Sequence, residues 1–220
     1  MTLTNRKYAI IAGAALMLMA VAAGYAYGFV YSNLIIADDT QQTITNLQQE
    51  TGMFRNGIIA WGWIFLLDII VAWSCYKFFQ DTNKGLSMMT AIARTVYTIF
   101  LGVGILQLVK VMVLLPASDP QEIMFALRSF EVIWSLGLII FGVHLIGLGK
   151  LVLTADFIAN IFGWLLLFSG FCYLGIHSAK AVLPSMEEGI AKLEMILSLP
   201  MAIGELGFGV WLLIKGGKNN

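Results

Sequence analysis

The sequence predicts an all-α integral membrane protein: a bundle of six transmembrane helices, with a short amphipathic helix on the outer side before the last span. Three observations carry this. Hydrophobic residues make up 59% of the 220 positions and charged ones only 12%. Soluble domains carry about 25% charged residues, so half of the usual polar coat is missing. Six apolar stretches, at roughly 8–30, 57–79, 86–115, 126–149, 157–177 and 196–215, are long enough to cross the hydrocarbon layer. Backbone groups in lipid must bond within their own segment, which makes each stretch a helix. A single domain over 1–220, with the lipid bilayer as its main partner, follows.

The first span begins with Arg6 and Lys7, and Ala20-Val21-Ala22 has the form of a leader cleavage site. The apolar run continues through Gly24 and Gly28 to Ile36, too long for a leader, so a retained helix is expected. Ala20, Gly24 and Gly28 form a small-residue stripe. Close packing inside the chain is its first reading and a homo-oligomer face its second. Residues 37–56 are polar and Gln-rich, with one short amphipathic turn at Ile44 and Leu47. Trp61, Trp63 and Tyr76 lie near span ends and suit an interfacial belt.

Residues 116–125, with Pro116 and Pro120, read as a loop. In 184–197, Ser185 and Glu188 fit a capping box. Met186, Ile190, Leu193 and Leu197 then repeat at helical spacing, with Glu187, Lys192 and Glu194 on the other face. That pattern predicts a helix lying on the outer surface. Pro200 has two readings: a break near Gly204 and Glu205, or the opening residue of the sixth span. Arg6, Lys7, Lys77, Lys84, Lys150, Lys215 and Lys218 fall on one side of the spans, against Arg55, Lys180 and Lys192 on the other. The excess of basic residues places both termini in the cytoplasm.

Four spans keep an ionisable group deep inside: Asp68, Arg94, His144 and Glu205. A charge there costs at least about 2.5–3.5 kcal/mol, so each is expected to face protein or water. At about 1.5 Å per residue they lie about 16, 11, 9 and 15 Å from the cytoplasmic ends of their spans, within one slab. Each shares a helix face with small or polar residues. These are Phe65, Ala72 and Cys75 beside Asp68; Ser87, Thr90, Tyr97 and Thr98 beside Arg94; Gly137, Phe141 and Gly147 beside His144; and Ser198, Ala202 and Gly209 beside Glu205. Asp68, Arg94, Tyr97, His144 and Glu205 therefore form the candidate binding centre. With His144 protonated its charges cancel; otherwise one carboxyl group carries a proton. A mobile proton and a static hydrogen-bonded staple are both compatible with this set. Lys110 and Glu131, at matching heights near the outer side, are expected to form a salt bridge.

Net charge is zero and no basic run suggests nucleic acid. Cys75 and Cys172 sit within apolar spans as small hydrophobes, with no disulfide or metal spacing. HExxH, GxSxG and GxxxxGKS/T do not occur. About 20 Å of depth separates His144 from His177, too far for both to ligate one haem iron. Nothing calls for a cofactor, and an enzyme is the last-ranked reading.

Several motifs, in order, resemble a bacterial membrane family known as domain of unknown function 4386. They are Met53-Phe54-Arg55-Asn56-Gly57-Ile58, Asp68, Ala93-Arg94-Thr95-Val96-Tyr97, Gly142-Val143-His144-Leu145 with Gly149-Lys150-Leu151, Gly163, Gly170 and Tyr173, and Glu205-Leu206 with Trp211 to Gly216. The resemblance implies a six-span fold in a prokaryotic inner membrane and no particular activity. The leading functional expectation is binding or translocation of a small solute or proton at the polar centre, through a cavity opening to the cytoplasm, with Arg94 the fixed cation and His144 and Glu205 titrating. The alternative is a membrane sensor or regulatory partner with a purely structural, sealed polar core, whose outer segments 37–56 and 178–197 receive a ligand or another protein at an outward-facing pocket that involves Arg55.

Overall fold

The computed structural model describes residues 3–36, 39–116 and 119–217. Helix α1 (Leu3–Ala23) runs into a π-helical segment, Gly24–Tyr31, and a final turn, α2 (Ser32–Leu34). Then come α3 (Thr40–Gln49), α4 (Thr51–Phe79), α5 (Lys84–Leu114), α6 (Pro120–Thr154), α7 (Asn160–Val182) and α8 (Glu187–Ile214). Six segments are long and apolar enough to cross a membrane: Asn5–Leu34 and the five helices α4 to α8. The chain is an all-helical membrane bundle.

Local chemistry sets several starts. The Asp39 carboxylate accepts the Gln42 backbone N–H at 2.8 Å, and the Asn83 side chain accepts that of Leu86 at 3.0 Å. Asp119 accepts the Gln121 N–H at 2.9 Å while Pro120 occupies the first helical position. Residues 120–125, expected as loop, are therefore the first turns of α6. At 35 residues α6 is about 52 Å long and outreaches the hydrocarbon layer. The turn expected at Ile44 and Leu47 is a ten-residue helix, α3, which buries both side chains.

Each long helix packs on its sequence neighbours, and α1 also packs on α8. The six therefore close a ring in the order α1, α4, α5, α6, α7, α8. Glycines permit close backbone contact between α6 and α7. A Cβ on Gly142 would stand 2.7 Å from the Gly170 carbonyl oxygen, and one on Gly149 would stand 2.8 Å from that of Gly163. The closing contact has its own clasp. The Arg6 guanidinium donates to the carbonyls of Leu212 (3.0 Å), Leu213 (2.6 Å) and Gly216 (2.7 Å), the unsatisfied acceptors at the C-terminal end of α8. These contacts bind α1 into the bundle.

Four sequence expectations are corrected. Gly24 and Gly28 have open space around them, so their stripe does not pack inside the chain; Ala26 and Val30 face inward instead. Trp61 is no belt residue: it is buried against Phe130 and Trp134, while Trp63 is exposed. The Ser185–Glu188 capping box does not form, because Pro184–Met186 is a single 3-10 turn and Glu188 pairs with Lys192 at 2.7 Å. The helix expected before the last span does form, but it runs unbroken through Pro200 into the sixth span as the start of α8. Its faces follow the expectation in part: Ile190 is buried with Leu197 packed beside it, and Glu187 and Lys192 are exposed, but Met186 and Leu193 are exposed and Glu194 turns toward α7. Where lipid surrounds a helix, apolar side chains can face outward and polar ones find partners within the bundle. Lys218 lies outside the described residues.

Candidate functional site

The predicted polar centre assembles around Arg94. Position 94 lies on the buried stripe of α5 with Ser87, Thr90, Tyr97 and Thr98, so the guanidinium projects into the ring. It is fully buried, as are Asp68 and His144. Its Nε and Nη2 each lie 2.8 Å from Asp68 Oδ1 on α4. Its Nη1 donates to Glu205 Oε1 on α8 at 2.9 Å and meets His144 Nε2 on α6 at 3.1 Å. The Met19 sulfur of α1 lies 3.8 Å from Nη2, and the Phe141 ring sits under the guanidinium at 5.4 Å. Five of the six ring helices thus converge on one side chain.

Donor chemistry assigns the imidazole. A guanidinium offers only N–H groups, so His144 Nε2 must accept and carries no proton. The ring proton then sits on Nδ1 and is donated to the Thr90 carbonyl at 3.0 Å. His144 is a neutral spacer in this arrangement, which corrects the expectation that it titrates. The centre then holds two carboxyl groups against one cation. Asp68 Oδ2 is buried without a hydrogen-bond partner. The Glu205 side chain is the partly open member, 22% exposed.

Tyr97 is buried beside the centre but meets it through an aromatic ring, packing on Phe141 at 4.8 Å. Lys110 and Glu131 do not pair. Glu131 accepts the Tyr31 hydroxyl at 2.7 Å, and Lys110 lies over Phe125 at 6.0 Å. Their depths match, but Lys110 belongs to the exposed stripe of α5 with Val103, Leu106 and Val113. Arg55 is exposed and outside the cavity described next.

At the end of the bundle opposite the termini, a cavity of about 350 Å³ opens between the π-helical segment, α6, α7 and α8. Tyr27, Glu131, Trp134, His177, Lys180 and Glu194 supply much of its polar and aromatic lining. Ser135 Oγ is 2.8 Å from His177 Nδ1, and Lys180 is paired with Glu194. None of Asp68, Arg94, His144 or Glu205 lines this cavity, so it is not the cytoplasmic entrance expected for the centre.

Residues 11–216 match the family model described as "Domain of unknown function (DUF4386)". The chain belongs to this family. A protein of Archaeoglobus fulgidus described as uncharacterized is 26% identical over 155 residues, covering 70% of this chain and 80% of the relative. No solved structure matches. In this DUF4386 protein the residues missed by sequence reading are Met19 at the centre and His177 in the cavity, whereas Lys180, Glu187 and Glu194 of the cavity fall within the segment 178–197 expected to receive a ligand. The i, i+4 spacing of Tyr173 and His177 was the available signal for the second, and the two rings do stack, at 5.9 Å.

Proposed function

We propose that this DUF4386 protein is a proton-linked membrane protein of the prokaryotic cytoplasmic membrane, both termini inside, and that its working site is the Arg94 centre. The supporting observation is the charge imbalance: a neutral imidazole, one guanidinium and two carboxyl groups share one buried site. An uncompensated charge among low-dielectric helices is costly, and one bound proton removes it. Glu205 is the exchanging member because its carboxylate is partly open, whereas Asp68 is sealed. Arg94 holds both carboxyl groups in place, and His144 keeps Nη1 oriented between itself and Glu205.

The test is infrared difference spectroscopy on the purified protein in lipid nanodiscs across a pH titration. Against the background of the exposed acidic side chains, the wild type should show one carboxylic-acid C=O component that rises as pH falls and is missing from the Glu205→Gln difference spectrum, with the variant still folded. Identical carboxylic-acid bands in wild type and Glu205→Gln refute the reading. The alternative is a sensor or regulatory partner whose polar core is only a staple; the separation of the cavity from the centre favours it. That alternative expects no component that distinguishes wild type from Glu205→Gln.

A further inference from the structure

The cavity at the far end of the bundle carries a chemistry distinct from the Arg94 centre. Three glutamates line it, Glu131, Glu187 and Glu194, against one ammonium, that of Lys180. Lys180 is already committed to Glu194, and Glu131 holds only the neutral Tyr31 hydroxyl. The wall is aromatic: Tyr27 and Trp134 both line the space, with their rings 5.1 Å apart edge to face. Two buried polar atoms of lining residues have no hydrogen-bond partner, Trp134 Nε1 and His177 Nε2. His177 is 2% exposed, and Glu194 Oε1 stands 3.7 Å from its Nε2, beyond hydrogen-bond reach.

Buried polar atoms are normally satisfied, so two orphans on one cavity wall mark a place where another molecule completes the bonding. The acidic excess selects a cation, and the aromatic faces favour one with an apolar shell. The Trp134 indole can only donate, so the occupant also needs an acceptor oxygen. We infer that this cavity binds a small organic cation, an amine or quaternary ammonium bearing a hydroxyl or carbonyl oxygen. The ammonium sits against Tyr27 and Trp134 within reach of Glu131 and Glu194. The oxygen takes the Trp134 N–H.

Calorimetric titration of the full chain in nanodiscs tests this, with choline and tetramethylammonium as cation probes and acetate and phosphate as anion controls. Choline should bind saturably and more tightly than tetramethylammonium, which lacks the acceptor oxygen. Glu194→Gln should weaken choline at least about tenfold, as loss of a charged partner does. Should that variant fail to fold, Trp134→Phe keeps an aromatic face, removes the donor and should abolish choline's advantage over tetramethylammonium. The inference is overturned if neither cation saturates, if an anion binds instead, or if choline affinity is indifferent to both substitutions.

Discussion

Removing the cation and removing one anion from the Arg94 centre should have very different effects. In Arg94→Gln the donors that meet Asp68 Oδ1 and Glu205 Oε1, at 2.8 and 2.9 Å, are lost together. Two carboxyl groups are then left facing each other across the ring without a counter-charge. Breaking a buried ion pair by deleting one partner costs about 3–5 kcal/mol. At about 2–4 °C per kcal/mol for a chain of this size, melting should fall by roughly 6–20 °C. Glu205→Gln removes the excess negative charge and keeps an acceptor oxygen for Nη1. Its cost should stay near the roughly 1 kcal/mol of one neutral hydrogen bond, a shift of a few degrees. The assay is thermal unfolding of detergent-purified protein followed by intrinsic tryptophan fluorescence. Equal losses in the two variants, or a smaller loss in Arg94→Gln, would refute the charge count on which the proton proposal rests.

Further outcomes follow from single contacts. Nitrogen NMR of labelled protein should find His144 with its proton on Nδ1 and Nε2 bare; the opposite tautomer contradicts the contact with Arg94. Gly142→Ala puts a methyl 2.7 Å from a backbone oxygen of α7 and should destabilise by about 1–3 kcal/mol, whereas Gly62→Ala, with open space around it, should be neutral or slightly stabilising. Thermal unfolding distinguishes them, and equal behaviour would show that α6 and α7 are not so close. Arg6→Ala should speed amide hydrogen exchange through the last turn of α8, because three carbonyls lose their donor. Unchanged exchange there would mean the clasp holds nothing.

The spans and the polar centre were legible because each depends on a property that one helix carries alone. Apolar length marks a crossing, and an ionisable group such as Asp68 or Arg94 amid small and polar neighbours marks an inward face. What escaped depends on rotation about helix axes and on partners distant in sequence. Lys110 and Glu131 match in depth, but depth says nothing about direction, and they point apart. Segment 184–197 was read as a helix lying on the outer surface with Glu194 on its solvent face. Glu194 turns inward instead because it has Lys180 and His177 beside it. Met19 gave no signal at all: a thioether in an apolar run looks like lipid-facing filler until Arg94 is seen beside it. The protonation state of His144 was also out of reach, since it follows from which nitrogen meets the guanidinium.

Ring closure between α1 and α8 has a consequence for biosynthesis. Glu205 lies on the sixth of these spans, so a chain that has inserted only the first five leaves Arg94 with Asp68 as its one acidic partner and a gap between α1 and α7. A nascent or truncated chain lacking α8 therefore presents a guanidinium with idle N–H groups to lipid or to membrane proteases, while the finished chain hides it completely. Arrival of the sixth span brings the carboxylate that accepts from Nη1 and closes the ring over it.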